Sequence, residues 1–257
     1  MPAETSALRE YYEDIRSRPL FANQIAQASA LIHLHTNAAD SSNISGTQVY
    51  INPEPEHIAR DQPLARNVLC YMKELIQAQK NYQNFPVDTQ PRMEDKGENR
   101  LAEMPSIIVE IGFHTNAGDA AALRDPVFRT AAMKGVEKGL RLTRQGETVC
   151  RPFEIAAIPP AQGTHGSSTR VSIDYRGFPQ FPVIAKVEFV ECPGGATCNG
   201  GQVTIPSPTE SPLSYSVRCF SPTDTSVTLT GTMRTTLTDA DDVRTEPVEH
   251  RLVCTPA

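Results

Sequence analysis

The 257-residue sequence lacks three features that define large classes of protein. No apolar stretch reaches the roughly 18 to 20 residues that span a bilayer, so no membrane span is predicted. Residues 1–5 lack the charged start and apolar core of a signal peptide. The net charge is -6 and lysine and arginine form no cluster, which argues against nucleic acid as a partner. The sequence therefore predicts neither a membrane-spanning nor a nucleic-acid-binding protein.

Cysteine is unevenly distributed along the chain. Five of the six cysteines lie at or beyond residue 150, and such clustering is more typical of an oxidising compartment than of the cytosol. We therefore expect a periplasmic or extracellular protein whose signal peptide was lost with its N-terminus. Cys192 and Cys198 could close a small loop, and Cys219 and Cys254 could join two strands, which leaves two cysteines without an assigned partner. The alternative is that the cysteines are small buried apolar residues.

The sequence changes character near residue 150. Before it, a helical period over residues 62–83 and a helix start at Asp125 and Pro126 alternate with apolar runs, as in helices packed on a sheet. After it come short alternating runs rich in Val, Thr and Tyr, which indicate the strands of a β-sandwich. A stretch rich in Pro and Gly between the two parts indicates a linker.

These patterns predict the fold class and the domain boundaries. Residues 1–148 are predicted to form an α/β domain with a mostly parallel sheet flanked by helices. Residues 149–168 are predicted to be the linker, and residues 169–257 a small all-β sandwich domain. The two parts thus differ in class, with the helices confined to the first.

Two apolar runs, residues 30–37 and 105–116, carry the polar groups of greatest interest. Runs of this length indicate strands buried on both faces, and buried strands rarely carry His or Glu without a reason. If the two strands lie side by side in a parallel sheet, His35 and Glu110 come near its C-terminal edge. Open α/β sheets place their functional sites at that edge.

The polar residues in these runs differ in how strongly they indicate chemistry. His33 and His35 are two residues apart, so on a strand both side chains leave the same face and could present two nitrogens to one metal ion. The alternative is packing or hydrogen bonding by the rings. An ionised Glu110 between two apolar neighbours carries a desolvation cost unless a metal, a cation or hydrogen bonds compensate it. Its alternative interpretation is a structural ion pair.

Several segments taken together resemble one family of enzymes. The segments are residues 18–23, 31–38, 46–50 and 105–116, followed by Asp119 and Leu123. In order and spacing they resemble the zinc-dependent N-acetylmuramoyl-L-alanine amidases of the amidase type 3 family, which cleave bacterial peptidoglycan. The resemblance extends over about residues 8 to 143.

The resemblance implies a peptidoglycan hydrolase that cleaves the amide bond between N-acetylmuramic acid and L-alanine by zinc-activated water. By this resemblance His35 corresponds to a ligand of Zn²⁺, and Glu110 to the catalytic residue that activates the attacking water. His33 and His114 stand where the family has other residues, so neither is assigned as a ligand. Peptidoglycan is the expected partner, together with an activator or a wall-associated partner for the C-terminal domain.

The resemblance is incomplete at its start. The family has a histidine in a Gly-His-Gly-Gly-like turn and a glutamate on the following helix, which complete its zinc site, and no such segment precedes Arg18. We therefore expect a fragment that lacks the family's first strand and helix, and we expect it to bind zinc weakly and to show little amidase activity because zinc ligands are missing. The alternative is a non-catalytic peptidoglycan-binding or regulatory module with an incomplete zinc site.

The polar segment 83–100 precedes the strand that carries Glu110. It contains Pro86, Pro91 and Gly97, which indicate a surface loop. In the amidases this region often borders the substrate groove, so the resemblance implies a substrate or regulatory loop. The alternative is a mere connection between two elements.

Overall fold

The computed structural model describes residues 6–207, 212–221, 224 and 226–256. The chain divides into two compact units, Met1–Cys150 and Arg151–Ala257. Among the described residues, none of the helices combines the length and the apolar character needed to cross a bilayer.

The first unit combines helices with a four-stranded sheet. Its elements are α1 (Ser6–Phe21), a short π-helix (Ala22–Ala26), β1 (Leu31–Asn37), β2 (Gln48–Ile51), α2 (Pro55–Ala78), β3 (Arg92–Met93), α3 (Gly97–Arg100), β4 (Ser106–Phe113), α4 (Ala117–Ala122) and α5 (Pro126–Arg144). The strand order is β1-β4-β2-β3. β1 is parallel to β4 and β2 is parallel to β3, whereas β2 and β4 are antiparallel. The predicted α/β class is confirmed, with a mixed sheet.

The two long helices, α2 and α5, form where the sequence predicts them. The apolar residues of α2 that recur with the helical period are buried, among them Leu64, Val68 and Met72. α5 begins where expected, because the Asp125 side chain accepts a hydrogen bond from the backbone N–H of Val127. The helices pack closely where α5 carries glycine: a Cβ on Gly135 would lie 2.5 Å from the Cα of Met72. A larger residue would push the two helices apart.

The second unit is built from strands only in its described residues. Its strands are β5 (Glu154–Ala157), β6 (Ala161–Thr164), β7 (Ser168–Arg176), β8 (Val183–Glu191), β9 (Gly201–Ile205), β10 (Leu213–Arg218), β11 (Leu229–Thr238) and β12 (Val248–Thr255). They form a three-stranded sheet, β10-β7-β5, and a five-stranded sheet, β6-β12-β11-β8-β9. The expected all-β region is present, and its description as a sandwich stays a prediction.

The segment predicted as a linker, residues 149–168, instead contains β5 and β6. Both strands lie at the edge of a sheet, where Pro and Gly are tolerated because one side of the strand has no ladder to interrupt. β6 pairs in parallel with β12, which is distant in sequence. β5 pairs with β7, and β6 lies between them along the chain. A local pattern rich in Pro and Gly carries no signal for such pairing.

All six cysteines form disulfides. The two predicted pairs, Cys192–Cys198 and Cys219–Cys254, are confirmed. The third, Cys70–Cys150, joins α2 to the end of the first unit over a sequence separation of 80 residues. Sequence spacing does not indicate this pair, because the two cysteines meet only through the packing of the unit.

Candidate functional site

The sheet of the first unit brings His35 and Glu110 side by side. β1 and β4 are neighbouring parallel strands, and His35 is the register partner of Glu110. On the other side of β4, Glu110 is in register with Gln48 of β2. Register partners place their side chains on the same face of a sheet. The expectation that the two apolar runs form adjacent strands is therefore confirmed.

Three side chains from two distant parts of the sequence converge at His35. They are His33 and His35 of β1 and Glu98 of α3, which each offer one ligand atom, and these atoms lie within 4.8 Å of one another. Glu98 Oε1 is 3.5 Å from His35 Nε2 and 3.8 Å from His33 Nδ1. The two imidazole rings are nearly perpendicular, at 88°. Two imidazole nitrogens and a carboxylate oxygen are donors that suit a zinc ion.

Glu98 was not found by sequence reasoning, since it lies in the polar segment interpreted as a loop. Hydrogen bonds of neighbouring residues hold Glu98 close to the two histidines. Asn99 donates a hydrogen bond to the backbone oxygen of Tyr50 at 3.0 Å and accepts one from the Ser106 hydroxyl at 2.9 Å, which fixes α3 to β2 and β4. Arg18 donates to Glu98 Oε1 at 2.8 Å. No local pattern could have indicated this placement, because the contacts with Tyr50 and Arg18 span 49 and 80 residues of sequence.

Glu110 and His33 are both buried in a way that alters their protonation. Glu110 is 8% exposed, and burial is the main reason that its pKa is raised; His35 and Lys96 act in the opposite sense. Burial likewise lowers the pKa of His33. Within the part of the chain that the structure describes, Glu110 Oε2 and His33 Nε2 are buried atoms without a hydrogen-bond partner. A carboxyl group in this setting is suited to accept and return a proton.

The strand ends around the site are held by Asp119. Its carboxylate accepts hydrogen bonds from the backbone N–H groups of Gly46 and Phe113, both at 2.8 Å, and from the Ser45 hydroxyl at 2.6 Å. Gly46 has a φ of +106°, and a Cβ there would lie 2.6 Å from the backbone oxygen of Pro86. Glycine is therefore required in this turn. The connection before β2 and the end of β4 are joined through one buried carboxylate.

His114 follows β4 but is not one of the three clustered residues. Its Nδ1 lies 3.2 Å from the Thr36 hydroxyl. The family resemblance gives His114 no role as a ligand. His33, which was likewise left unassigned, does lie in the cluster.

Comparison with known proteins identifies the same region. Residues 4–141 match the family model of N-acetylmuramoyl-L-alanine amidase, amidase type 3. The chain is similar to N-acetylmuramoyl-L-alanine amidase LytC of Bacillus subtilis (strain 168), with 29% identity over 114 residues, which is 44% of this chain and 21% of that protein. The chain thus spans about a fifth of the length of this curated relative.

Two solved structures are similar to part of this chain. The CwlD amidase from Clostridioides difficile, determined in complex with the GerS lipoprotein, has 17% identity and a TM-score of 0.46, and the match covers 56% of this chain and 68% of that one. The catalytic domain of CwlV, an N-acetylmuramoyl-L-alanine amidase from Bacillus (Paenibacillus) polymyxa var. colistinus, has 21% identity and a TM-score of 0.43, and the match covers 52% and 66%.

Proposed function

This chain belongs to the N-acetylmuramoyl-L-alanine amidase family, and on that basis we propose that it hydrolyses the amide bond between N-acetylmuramic acid and L-alanine in peptidoglycan. The observation that carries the proposal is the register pairing of His35 with Glu110 on adjacent strands within the matched region. It supports the proposal because an imidazole nitrogen able to bind a metal then lies beside a buried carboxyl group, a combination suited to the hydrolysis of an amide.

Each of the two residues has a separate role in this proposal. His35 holds zinc through an imidazole nitrogen. When bound, zinc polarises an amide carbonyl and makes water more acidic. Glu110 takes a proton from the attacking water and then delivers it to the departing amino group of L-alanine. Because Glu110 is buried, its carboxyl group keeps a proton more readily than an exposed glutamate and so can return it.

We also propose that the protein works outside the cytoplasm, either in the periplasm or in the extracellular space. All six cysteines are paired, and structural disulfides persist in oxidising compartments. Peptidoglycan lies in those compartments too. The second unit would serve as a wall-association module or as the contact for an activator, an assignment that rests only on its position in the chain.

The proposal is tested by the chemistry of the products. The purified chain is incubated with zinc and purified peptidoglycan, and the new amino groups are identified after labelling. An amidase frees the amino group of L-alanine and leaves the glycan strands intact, whereas a glycosidase creates new reducing ends. Glu110→Gln should lose the activity, and Glu137→Gln, which alters only an exposed ion pair with Arg141, should retain it.

The same assay distinguishes an amidase from the alternative, a non-catalytic peptidoglycan-binding or regulatory module. If the chain sediments with peptidoglycan but releases no L-alanine amino groups at any zinc concentration, it is a binding or regulatory module and the proposed activity is wrong. Release by wild type and by Glu110→Gln at equal rates would contradict the role given to Glu110.

A further inference from the structure

We infer that His33 and Glu98 join His35 to form a three-ligand site for a divalent metal ion that lies wholly within this chain. The inference rests on the proposed function in one respect, since it concerns the same metal that His35 is proposed to hold. It extends that proposal to two residues for which the family resemblance gives no role. It also changes the expectation that the chain lacks most of its zinc ligands.

The spacing of the three groups fits an ion better than it fits hydrogen bonds. Glu98 Oε1 lies 3.5 Å from His35 Nε2 and 3.8 Å from His33 Nδ1. These distances are too long for good hydrogen bonds. Zinc bonds of about 2.0 to 2.1 Å in a tetrahedral site place ligand atoms about 3.4 Å apart. Glu98 Oε1 therefore needs to approach the two nitrogens by only about 0.1 to 0.4 Å, and the two nitrogens, which lie within 4.8 Å of each other, by about 1.4 Å at most.

The elements that carry the ligands direct them to one point. His33 and His35 leave the same face of β1 because the side-chain period of a strand is two. Glu98 approaches from α3, which Asn99 fixes to Tyr50 and Ser106. His33 and Glu98 are buried, at 6% and 7% exposure. Ligands on a strand and a fixed helix need little reorganisation to bind a metal.

The competing interpretation of Glu98 is a simple ion pair with Arg18, whose guanidinium donates to Oε1 at 2.8 Å. Although the histidine distances are measured to the same oxygen, that contact leaves a second lone pair of Oε1 for a metal, because a carboxylate has about four lone-pair positions on its two oxygens. An ion pair with Arg18 also does not explain why His33 is buried, at 6% exposure, with its Nδ1 turned toward Glu98. A metal ion held by Nδ1 would stabilise this buried ring.

The number of ligands has a consequence for function. Structural zinc sites have four protein ligands, whereas catalytic sites have three and keep one position open. Two histidines and a glutamate make such a three-ligand set. Glu110, the register partner of His35, stands beside it as a carboxyl group that is not needed as a ligand. The chain therefore contains both the ligands and the proton-transfer group of a hydrolytic metal site.

Metal binding by the full chain tests the inference without an assay of activity. Metal-depleted protein is titrated with Zn²⁺ by calorimetry and with Co²⁺ by visible absorption, which is intense for a tetrahedral ion. We expect one ion per chain. Glu98→Gln and His33→Asn should each weaken binding by at least about tenfold, since even partners outside the ligand shell change affinity by ten- to a hundredfold. Circular dichroism spectra establish that each variant is folded.

Two further variants serve as controls. His114→Asn removes a nearby histidine outside the cluster and should leave Zn²⁺ affinity unchanged. Arg18→Met removes the ion-pair partner of Glu98 but no ligand, so affinity should stay the same or rise. If Arg18→Met and Glu98→Gln weaken binding equally, or if His33→Asn and Glu98→Gln bind as wild type, or if no Zn²⁺ binds, the three-ligand site is wrong.

Failure of the three-ligand site and failure of the proposed amidase activity give different results in these experiments. Zinc binding that depends on His33 and Glu98, in a protein that releases no L-alanine amino groups, would leave the metal site standing and refute the amidase. Amide hydrolysis that persists in both variants with unchanged zinc affinity would support the amidase and refute the three-ligand site.

Discussion

His35 and Glu110 are register partners on neighbouring parallel strands, so an imidazole and a carboxyl group leave the same face of the sheet at the same level. Their relative position is fixed by the backbone hydrogen bonds between β1 and β4 and does not depend on a flexible loop. Sites built on regular elements hold their geometry better than sites built on loops. The two residues can therefore have separate roles.

Substitutions at these two positions should separate metal binding from proton transfer. Glu110→Gln should keep zinc and lose amidase activity by about 10² to 10⁴, because an amide side chain cannot transfer the proton. His35→Asn should lose both zinc and activity. Zinc content of the purified variants and kcat on a muramyl-peptide substrate measure the two effects. Loss of zinc in Glu110→Gln would show that Glu110 is a ligand instead.

Removal of the Asp119 carboxylate should destabilise the first unit. Asp119→Ala leaves two buried backbone N–H groups and one hydroxyl without their acceptor. We expect the free energy of unfolding to fall by about 3 kcal/mol or more, given the cost of unsatisfied buried donors. Ellipticity at 222 nm during urea unfolding reports this, since the described helices all lie in the first unit. Asp40→Ala, at an exposed position, is the matched control; equal midpoints for both would contradict the role of Asp119.

The disulfides should differ in what they contribute to stability. Cys70–Cys150 has a sequence separation of 80 residues, and Cys192–Cys198 one of only 6. Loop-closure entropy predicts that replacing both cysteines by alanine costs about 4 kcal/mol for the first pair and about 2 kcal/mol for the second. Urea unfolding of the two double variants under oxidising conditions measures the loss in the free energy of unfolding for each disulfide. A larger loss for the short loop would contradict the entropic argument.

His250 in the second unit should titrate below the usual range of histidine. Its Nε2 lies 2.9 Å from the Thr235 hydroxyl and 3.3 Å from the Tyr215 hydroxyl, and burial lowers its pKa. Below about pH 6.5 the folded state therefore binds fewer protons than the unfolded state. As a result, the free energy of unfolding falls as the pH is lowered from about 6.5 to the pKa of folded His250.

Nuclear magnetic resonance of the histidine ring protons measures the His250 pKa directly, and His250→Gln identifies the signal. The same variant should unfold with a weaker dependence on pH between about 6.5 and the folded pKa, because its side chain does not titrate. A His250 midpoint at or above about 6.5 would contradict the effect of burial.

The sequence predicts those parts of the structure whose cause is local. The helical period of α2, the Asp125 cap of α5 and the apolar runs around His35 and Glu110 are each contained in a few consecutive residues, and the structure confirms them. The family resemblance is likewise confirmed by the match over residues 4–141.

The parts that the sequence misses depend on distant contacts. Glu98 comes near His35 only because α3 packs on β2 and β4. β6 becomes a strand by pairing with β12, in which Leu252 is the register partner of Ala161 although it lies 91 residues later. The Cys70–Cys150 disulfide likewise needs the completed unit. Such relationships leave no periodicity in the neighbourhood of the residues concerned.

The strand order of the first unit has a consequence for the order in which the protein matures. β4 lies between β1 and β2 although it follows both along the chain. As the polypeptide leaves the ribosome or the translocation channel, β1 emerges long before the strand with which it pairs. Because β4 is the strand next to β1 in this sheet, His33 and His35 take their places in the sheet only after β4 has been made. Glu98 is held through Asn99 to Ser106 of β4, so metal binding at the proposed three-ligand site would report that β1 and β4 have paired.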